Sequence, residues 1–166
     1  MIIFFSSLTC QYAYPQQDKS TSELGLFLKE KNYKAIKLGR FITGHLYLRA
    51  EVNDSTAIFV LDTGAGSTVM EEKRESKFNL TTSSSEIKAV GAGGSNLALK
   101  ESSIQNFQIK DYVLHNHKIH LMNLDHINNA FKEVGIAEID GVIGADILIK
   151  GKAVIDYENL ILYLKE

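Results

Sequence analysis

The stretch that decides the fold is Phe59-Val60-Leu61-Asp62-Thr63-Gly64-Ala65, in which a carboxylate ends an apolar run. This run begins at Thr56 and is rich in β-branched and aromatic residues, as buried strands are. A carboxylate placed there costs free energy unless another group pairs with it or a reaction uses it. Gly64 permits a tight turn in which backbone N–H groups face the carboxylate, and Thr63 can hydrogen-bond to a neighbouring loop. Asp62 is therefore the candidate functional acid, and a structural turn-capping role is the alternative.

Short strands and turns extend on both sides of this stretch. Residues 45–52 alternate between apolar and polar side chains, and Asn53-Asp54 supplies a turn into the strand that ends at Asp62. Further strands are predicted at residues 83–90, 97–99, 104–109, 112–121, 153–156 and 160–164. The sequence therefore predicts an all-β domain in which hairpins predominate.

One segment has helical periodicity instead. Apolar residues recur at helical spacing after the candidate N-cap Asp125 and before Gly135: Ile127, Ala130, Phe131 and Val134. This pattern predicts a helix over residues 125–134 with those four side chains in the core.

Gly91-Ala92-Gly93-Gly94 forms a glycine-rich tip between two predicted strands. The spacing matches neither G-x-G-x-x-G nor the phosphate-binding loop that ends in Lys-Ser/Thr, so it does not indicate nucleotide binding. A mobile flap over a substrate and an ordinary hairpin tip both fit this composition.

Composition excludes several classes of protein. The chain has 166 residues, enough for one domain, with 45% hydrophobic and 23% charged residues. A formal net charge of -2 gives no basic surface for nucleic acid. Because Cys10 is the single cysteine, a disulfide framework and a Cys-rich metal site are excluded.

Three histidines on one predicted strand suggest a metal site at first sight: His115, His117 and His120. Strand alternation places His115 and His117 on one face, but no ligating carboxylate lies nearby in sequence. An exposed strand with polar faces is the preferred interpretation, and no metal is expected.

The N-terminus carries a predicted export signal. Residues 1–8 read MIIFFSSL, too short to span a bilayer, so no transmembrane segment is predicted. Residues 1–17 resemble an export signal without its positively charged n-region, which indicates an exported, periplasmic protein. Cys10 raises lipid anchoring as an alternative. Residues 18–34 are predicted to be a linker or N-terminal extension that precedes the domain at residues 35–166.

Over residues 35–166 the sequence resembles the retropepsin-like aspartic proteases. The resemblance rests on the apolar strand with Asp62-Thr63-Gly64-Ala65, the glycine-bearing tip at residues 90–94, Val142-Ile143-Gly144 before a short helix, and the final strand pair. The stretches GHLYLRAEV, DGVIGADIL and AVIDYENLILYL are more similar to the bacterial, exported branch than to the viral one. The resemblance implies a closed, barrel-like β domain with one or two short helices. One of these is expected at residues 145–148, with Asp146 as a first-turn residue rather than a second catalytic acid.

The same resemblance implies a catalytic mechanism that needs two aspartates. Two carboxylates about 3 Å apart share one proton, and together they activate a water and polarise the scissile carbonyl. This chain has one D-T-G sequence. A homodimer is therefore expected, in which each chain contributes Asp62 to one site and no cofactor is needed.

The resemblance also implies roles for the residues around Asp62. Residues expected to support the loop are Thr63, Gly64, Val142, Ile143 and Gly144. Residues expected to contact an extended peptide substrate are Ala65, Gly66, Gly91, Ala92, Gly93 and Gly94. The alternatives are an inactive binding or dimerisation module with the same fold, and self-processing of a precursor at the same site.

Overall fold

Strands are the predominant regular structure in residues 22–90 and 96–166, the part of the chain that the computed structural model describes. They are β1 (Lys34–Lys37), β2 (Gly39–Arg40), β3 (Leu46–Val52), β4 (Ser55–Leu61), β5 (Val69–Glu71), β6 (Thr81–Val90), β7 (Asn96–Ile109), β8 (Tyr112–Met122), β9 (Gly141–Ile143), β10 (Val154–Asp156) and β11 (Ile161–Leu164). The helices are α1 (Glu23–Glu30), α2 (Asp125–Glu133) and α3 (Ala145–Lys150), with a 3-10 turn at Glu72–Arg74. The predicted β-rich chain with a few short helices is confirmed.

The predicted hairpin that leads into Asp62 is formed by β3 and β4. The two strands pair antiparallel, and the register ends with Val52 opposite Ser55. Asn53 and Asp54 make the turn with positive φ angles of 45° and 67°. Asn and Asp adopt this left-handed conformation more readily than other residues with a side chain, so the turn sequence favours this register.

A closed barrel contains this hairpin. Its strands follow the order β3, β4, β9, β5, β8 and β7, and β7 pairs back onto β3 where Phe107 lies opposite Val52. β9 runs parallel to β4 and antiparallel to β5, so it lies between the strand before Asp62 and the strand that follows the Asp62 turn. Closure leaves these strands with neighbours on both sides over their paired residues.

Large apolar side chains fill the barrel. Phe59 and Phe107 meet edge to face, with ring centroids 5.5 Å apart and an interplanar angle of 86°. Other buried members of this core include Leu48, Met70, Ile104, Leu121, Ile143 and Leu164. Burial of each such side chain contributes about 1.5–3 kcal/mol, so this core dominates the stability of the domain.

A smaller sheet lies beside the barrel in the order β1, β11, β10. Helix α1 covers it, because Leu28 packs with Ile161 and Tyr163 in a separate apolar cluster. Ser22 caps the helix and accepts a hydrogen bond from the Gly25 N–H at 3.1 Å. Residues 18–34, predicted as a linker or N-terminal extension, thus include a helix that packs against the sheet.

Helix α2 differs in two ways from the sequence prediction. Asp125 is its first residue and not its N-cap, a position that Leu124 occupies without a side-chain cap. Of the apolar residues predicted to be core, Phe131 is buried, but Ala130 is exposed and Val134 is 49% exposed. The helix packs a narrower stripe than the periodicity suggested because it lies on the outside of the barrel.

The long hairpin of β6 and β7 carries the predicted glycine-rich tip. Its register runs from Thr81 opposite Ser103 to Val90 opposite Asn96, with an irregularity between Thr82 and Glu86. The tip residues Gly91, Ala92, Gly93 and Gly94 lie outside the described residues. Among the helices that are described, none is long and apolar enough to cross a membrane.

Candidate active site

Asp62 follows β4 directly and opens a tight turn. Its N–H donates to the carbonyl of Ile143 at 3.0 Å, and its own carbonyl accepts from the Ala65 N–H at 3.2 Å. The Gly64 N–H donates to Asp62 Oδ1 at 2.8 Å. Asp62, Thr63 and Gly64 are all exposed in the single chain. The turn therefore holds an oriented carboxylate at the protein surface.

Strand β9 pairs with the strands on both sides of this turn, and it contains Val142 and Ile143, which were predicted to support the loop. Ile143 pairs with Leu61, and Val142 pairs with both Val60 and Val69. The strand therefore joins the segment before Asp62 to the segment after it.

Gly144 continues β9 into a contact that only glycine allows. A Cβ atom built there would lie 2.5 Å from the carbonyl carbon of Ser67 and 2.6 Å from its oxygen. Directly after it, the Ala145 N–H donates to the carbonyl of Ala65 at 2.8 Å. Residues 62–68, called here the Asp62 loop, are thus pressed against the start of α3.

Thr68 closes the Asp62 loop, and sequence analysis did not single it out. It is fully buried. Its N–H and its hydroxyl donate to Asp146 Oδ1 at 2.8 and 2.7 Å, and its Oγ1 accepts from the Gly144 N–H at 3.1 Å. Asp146 lies in the first turn of α3 as predicted, but its carboxylate binds the Asp62 loop. Thr68 comes two positions after Gly66, and Asp146 comes two positions after Gly144. This spacing from the glycines of the two site motifs is the signal by which the sequence could have indicated them.

Asp146 carries a charge that its surroundings hold in place. Burial by itself raises the pKa of this carboxyl, but hydrogen bonds from His117 and from Thr68 outweigh that cost and lower the pKa to about 2. The carboxylate therefore stays ionised, and able to accept from Thr68, through the mildly acidic range.

This charge predicts a pH-dependent contribution to stability. Because the folded-state pKa of Asp146 lies below its ordinary 3.8, ionisation contributes about 2 kcal/mol above that value and the contribution is lost as pH falls through about 2. We expect Asp146→Asn to lower the free energy of unfolding by about 2 kcal/mol near pH 6, with the gap narrowing toward pH 2. Urea unfolding of both proteins across this range measures the gap. A gap that is constant with pH would contradict the assignment.

The histidines of β8 do not share one face, contrary to the sequence prediction. Asn116 has a positive φ of 49°, which breaks the alternation between its neighbours. His115 stays exposed and hydrogen-bonds to Asn106 at 2.9 Å, whereas His117 Nε2 lies 3.1 Å from Asp146 Oδ2. Among the residues that the structure describes, no group of three or more His, Cys, Asp or Glu side chains could hold a metal ion.

A second acid outside the Asp62 loop fixes β9 against β4. Asp140 is buried, and its Oδ2 accepts from the Ile58 N–H at 2.8 Å. Its Oδ1 accepts from Lys77 Nζ at 2.9 Å and also binds the guanidinium of Arg74. A buried carboxylate needs such partners, and these hold the start of β9 in register with the strand before Asp62. Asp140 is thus structural and is not a second copy of the Asp62 motif.

An apolar surface borders the Asp62 loop. Ala65 and Val69 are half-buried and pack against a cluster of buried side chains that contains Val60, Phe131, Ile139 and Val142. Gly66 is exposed, and a Cβ atom there would meet nothing within 4 Å. Of the predicted substrate contacts, Ala65 and Gly66 therefore lie next to Asp62, while the glycine-rich tip lies outside the described residues.

Comparisons with known proteins identify a family and a fold. A family model described as aspartyl protease matches residues 48–147, more than half of the chain. A retropepsin-like aspartic protease from Rickettsia conorii is similar in structure, with a TM-score of 0.55 and 21% identity over 80% of this chain and 90% of that one. The EIAV protease in complex with the inhibitor HBY-793 has a TM-score of 0.50 and 15% identity over 71% of this chain and 98% of that one. A search of curated proteins finds no match.

These findings bear on fold and family together. The solved structures show the fold, which is the retropepsin-like closed barrel implied by the sequence. The family match spans the Asp62 loop and β9, whose contacts hold the exposed carboxylate. The chain belongs to the aspartyl protease family.

Proposed function

We propose that the protein is an aspartic endopeptidase whose site forms across a homodimer, with Asp62 of each chain in one catalytic pair. The observation that carries this proposal is the exposed Asp62 at the end of a loop that β9 holds from behind. An acid that only capped its own turn would not need the anchoring that Gly144, Thr68 and Asp146 supply. An exposed acid also fits an active site better than the inactive-module alternative, for which a buried or occluded Asp62 would be expected.

The chemistry follows from two carboxylates that share one proton. The ionised Asp62 takes a proton from a water, which attacks the carbonyl carbon of the scissile peptide bond. The protonated Asp62 of the other chain donates to the carbonyl oxygen, so a tetrahedral diol forms. The Asp62 that took the proton from water then gives it to the leaving nitrogen, while the other Asp62 takes a proton from a hydroxyl of the diol. The C–N bond breaks, the carboxylic acid and the amine are released, and the pair again shares one proton.

The substrate in this proposal is a peptide in extended conformation. The long hairpin of β6 and β7 would cover it, with the glycine-rich tip at residues 91–94 as the flap. The peptide backbone would pair as an added strand, and its side chains would meet the apolar surface beside Ala65 and Val69. The Gly64 N–H is already engaged by Asp62 Oδ1, so it orients the acid and does not bind the peptide.

The experiment that tests the proposal compares activity with oligomeric state. Hydrolysis of a mixture of unstructured peptides is measured between about pH 3 and 8, over protein dilutions whose dimer fraction is known from sedimentation. We expect the activity per chain to fall in proportion to the dimer fraction and to persist in the presence of a chelator. Full activity of the monomer would contradict a shared site, and a folded dimer without activity at any pH would favour the inactive module.

Export is a separate proposal that rests on sequence alone. The apolar run at residues 1–8 supports an exported, periplasmic location, with lipid anchoring at Cys10 as the alternative. Residues 1–8 and Cys10 both lie outside the described residues. Mass spectrometry of the mature protein from its native cells would identify its N-terminus and any attached lipid.

A further inference from the structure

His117 reaches the Asp62 loop through one intermediary. Its Nε2 lies 3.1 Å from Asp146 Oδ2, and the side chains of the pair are only 11% and 24% exposed. The other carboxylate oxygen, Oδ1, accepts both bonds from Thr68 at the end of the Asp62 loop. An imidazole on β8 and a loop that follows β4 are therefore joined through a single carboxylate on α3.

We propose that His117 is a positioning residue for Asp62: it holds the Asp146 carboxylate in place, so that Thr68 keeps the Asp62 loop fixed. This inference rests on the proposed function. No part of it requires His117 to touch substrate or water.

The contacts on the loop side are specific. Thr68 Oγ1 accepts from the Gly144 N–H at 3.1 Å, and the Thr68 carbonyl accepts from the His120 N–H of β8 at 3.1 Å. If Asp146 lost its charge, the two donors of Thr68 would face a weaker acceptor in a buried site. The end of the Asp62 loop would then be held less firmly, and misplacement of about 1 Å can cost a factor of 100 in rate.

The polar side chains next to His117 on β8 have other partners. His115 is exposed and bonds to Asn106, and Lys118 Nζ bonds to Glu101 of β7 at 2.9 Å. Neither competes with His117 for Asp146.

On β7 and α3, the described groups beside the pair are an apolar side chain, a carboxylate opposite His120 and a backbone N–H. On β7, Ile104 lies opposite His117, while His120 lies opposite Glu101. On α3, the Ile147 N–H is a further donor to Asp146. Asp62 itself is exposed at the far end of the loop. Among the side chains that the structure describes, His117 is thus the titratable one that hydrogen-bonds to Asp146.

The pH dependence follows from what remains after His117 is removed. Burial raises the pKa of Asp146, and the hydrogen bond from His117 heads the interactions that lower it. In His117→Ala the burial cost persists while that donor is gone, so Asp146 takes up a proton at a higher pH than in the wild type. The loss of Thr68 anchoring then falls in the acidic range where an aspartic protease works.

The test uses the full chain and three variants. His117→Ala removes the donor, His117→Gln replaces it with a neutral N–H donor, and His115→Ala is the matched control on the same strand. Titration of the Asp146 carboxyl carbon and the Thr68 amide is followed by NMR. The pH profile of kcat/KM is recorded on the peptide mixture.

We expect His117→Ala to raise the pKa of Asp146 by about 1 unit or more and to move the acidic limb of kcat/KM upward by a similar amount. His117→Gln should lie between His117→Ala and the wild type, and His115→Ala should leave both readouts unchanged. If His117→Ala does not fold, His117→Gln alone still predicts an intermediate shift. The proposal is wrong if the His117 variants show the same Asp146 pKa and the same pH profile of kcat/KM as His115→Ala.

Failure of this proposal is distinguishable from failure of the proposed function. If the protein hydrolyses no peptide, the proposed function fails, and the NMR titration still decides whether His117 controls Asp146 and Thr68. If Asp62-dependent hydrolysis is present and the acidic limb of its kcat/KM profile does not shift in the His117 variants, only the positioning role fails.

Discussion

Replacing Asp62 by asparagine is expected to lower kcat for peptide hydrolysis by roughly 100- to 10,000-fold. The loss is large because the side chain serves in turn as general base and general acid, and positioned groups of this kind contribute about that much. An asparagine amide fits the same space but neither takes a proton from water nor gives one to the substrate. KM should change little because Asp62 acts on the reacting atoms and not on the flanking peptide.

A matched control separates catalysis from folding. Asp111 is also exposed, in the turn between β7 and β8, so Asp111→Asn makes the same chemical change away from the Asp62 loop. Steady-state kinetics, melting temperature and sedimentation are measured for both variants. The melting temperature should hardly move in either, since exposed substitutions of this kind stay within about 0.5 kcal/mol. Activity that survives in Asp62→Asn would remove Asp62 from the mechanism.

Mixed dimers test whether the two chains share one site. After equilibration of wild-type chains with an equal amount of Asp62→Asn chains, about one quarter of the dimers contain two intact Asp62 residues. With a shared site, activity per total chain should therefore be about one quarter of that of the wild type. Activity near one half would mean that each chain carries its own complete site.

The strand pattern and the site motifs could be predicted from the sequence because local chemistry determines them. The turn at Asn53 and Asp54 needs residues that tolerate positive φ, and the hairpin is where the pattern placed it. The apolar run before Asp62 had to be buried, and β9 pairs with it. The turn preference of Asn53-Asp54 and the need to bury the apolar run before Asp62 both favour the same hairpin of β3 and β4.

The contacts that hold the Asp62 loop depend on distant parts of the chain. Thr68 and Asp146 are 78 residues apart, and nothing local to either sequence indicates the other. Regular alternation predicts that His117 lies on the same face as His115, but the positive φ at Asn116 places the two on different faces. The exposure of Val134 has a similar origin, since helical periodicity does not tell how wide a face the barrel will cover.

Gly144→Ala is expected to destabilise the protein and to disable the site together. The backbone at this position has φ of -101°, which any residue can adopt, so the requirement for glycine is spatial and not conformational. The new methyl group would lie 2.5 Å from the Ser67 carbonyl carbon, and backbone atoms cannot turn away as a flexible side chain can. Either the Asp62 loop or the start of α3 must move, and overpacking of this kind costs about 3 kcal/mol.

The same displacement reaches the hydrogen bonds that orient the acid. The Gly144 N–H donates to Thr68 Oγ1, and the next N–H, from Ala145, donates to the carbonyl of Ala65. A shift of about 1 Å in these contacts is enough to lower kcat by roughly 100-fold. The melting temperature should fall by roughly 6–12 °C, given about 2–4 °C per kcal/mol for a domain of this size.

Gly66→Ala is the matched control for stability, because a methyl group there meets nothing within 4 Å in the same loop. Thermal unfolding of the two variants should differ by most of the expected drop in melting temperature, and kinetics below the transition give kcat for the folded Gly144→Ala protein. If Gly144→Ala melts with Gly66→Ala and retains the wild-type kcat, the close approach at Ser67 does not constrain the loop. If it melts early but retains kcat, β9 stabilises the barrel without positioning Asp62. The contacts of Thr68 and Ala65 predict neither result. They predict that stability and kcat fall together, because the same close approach of Gly144 to the Asp62 loop stabilises the fold and positions Asp62.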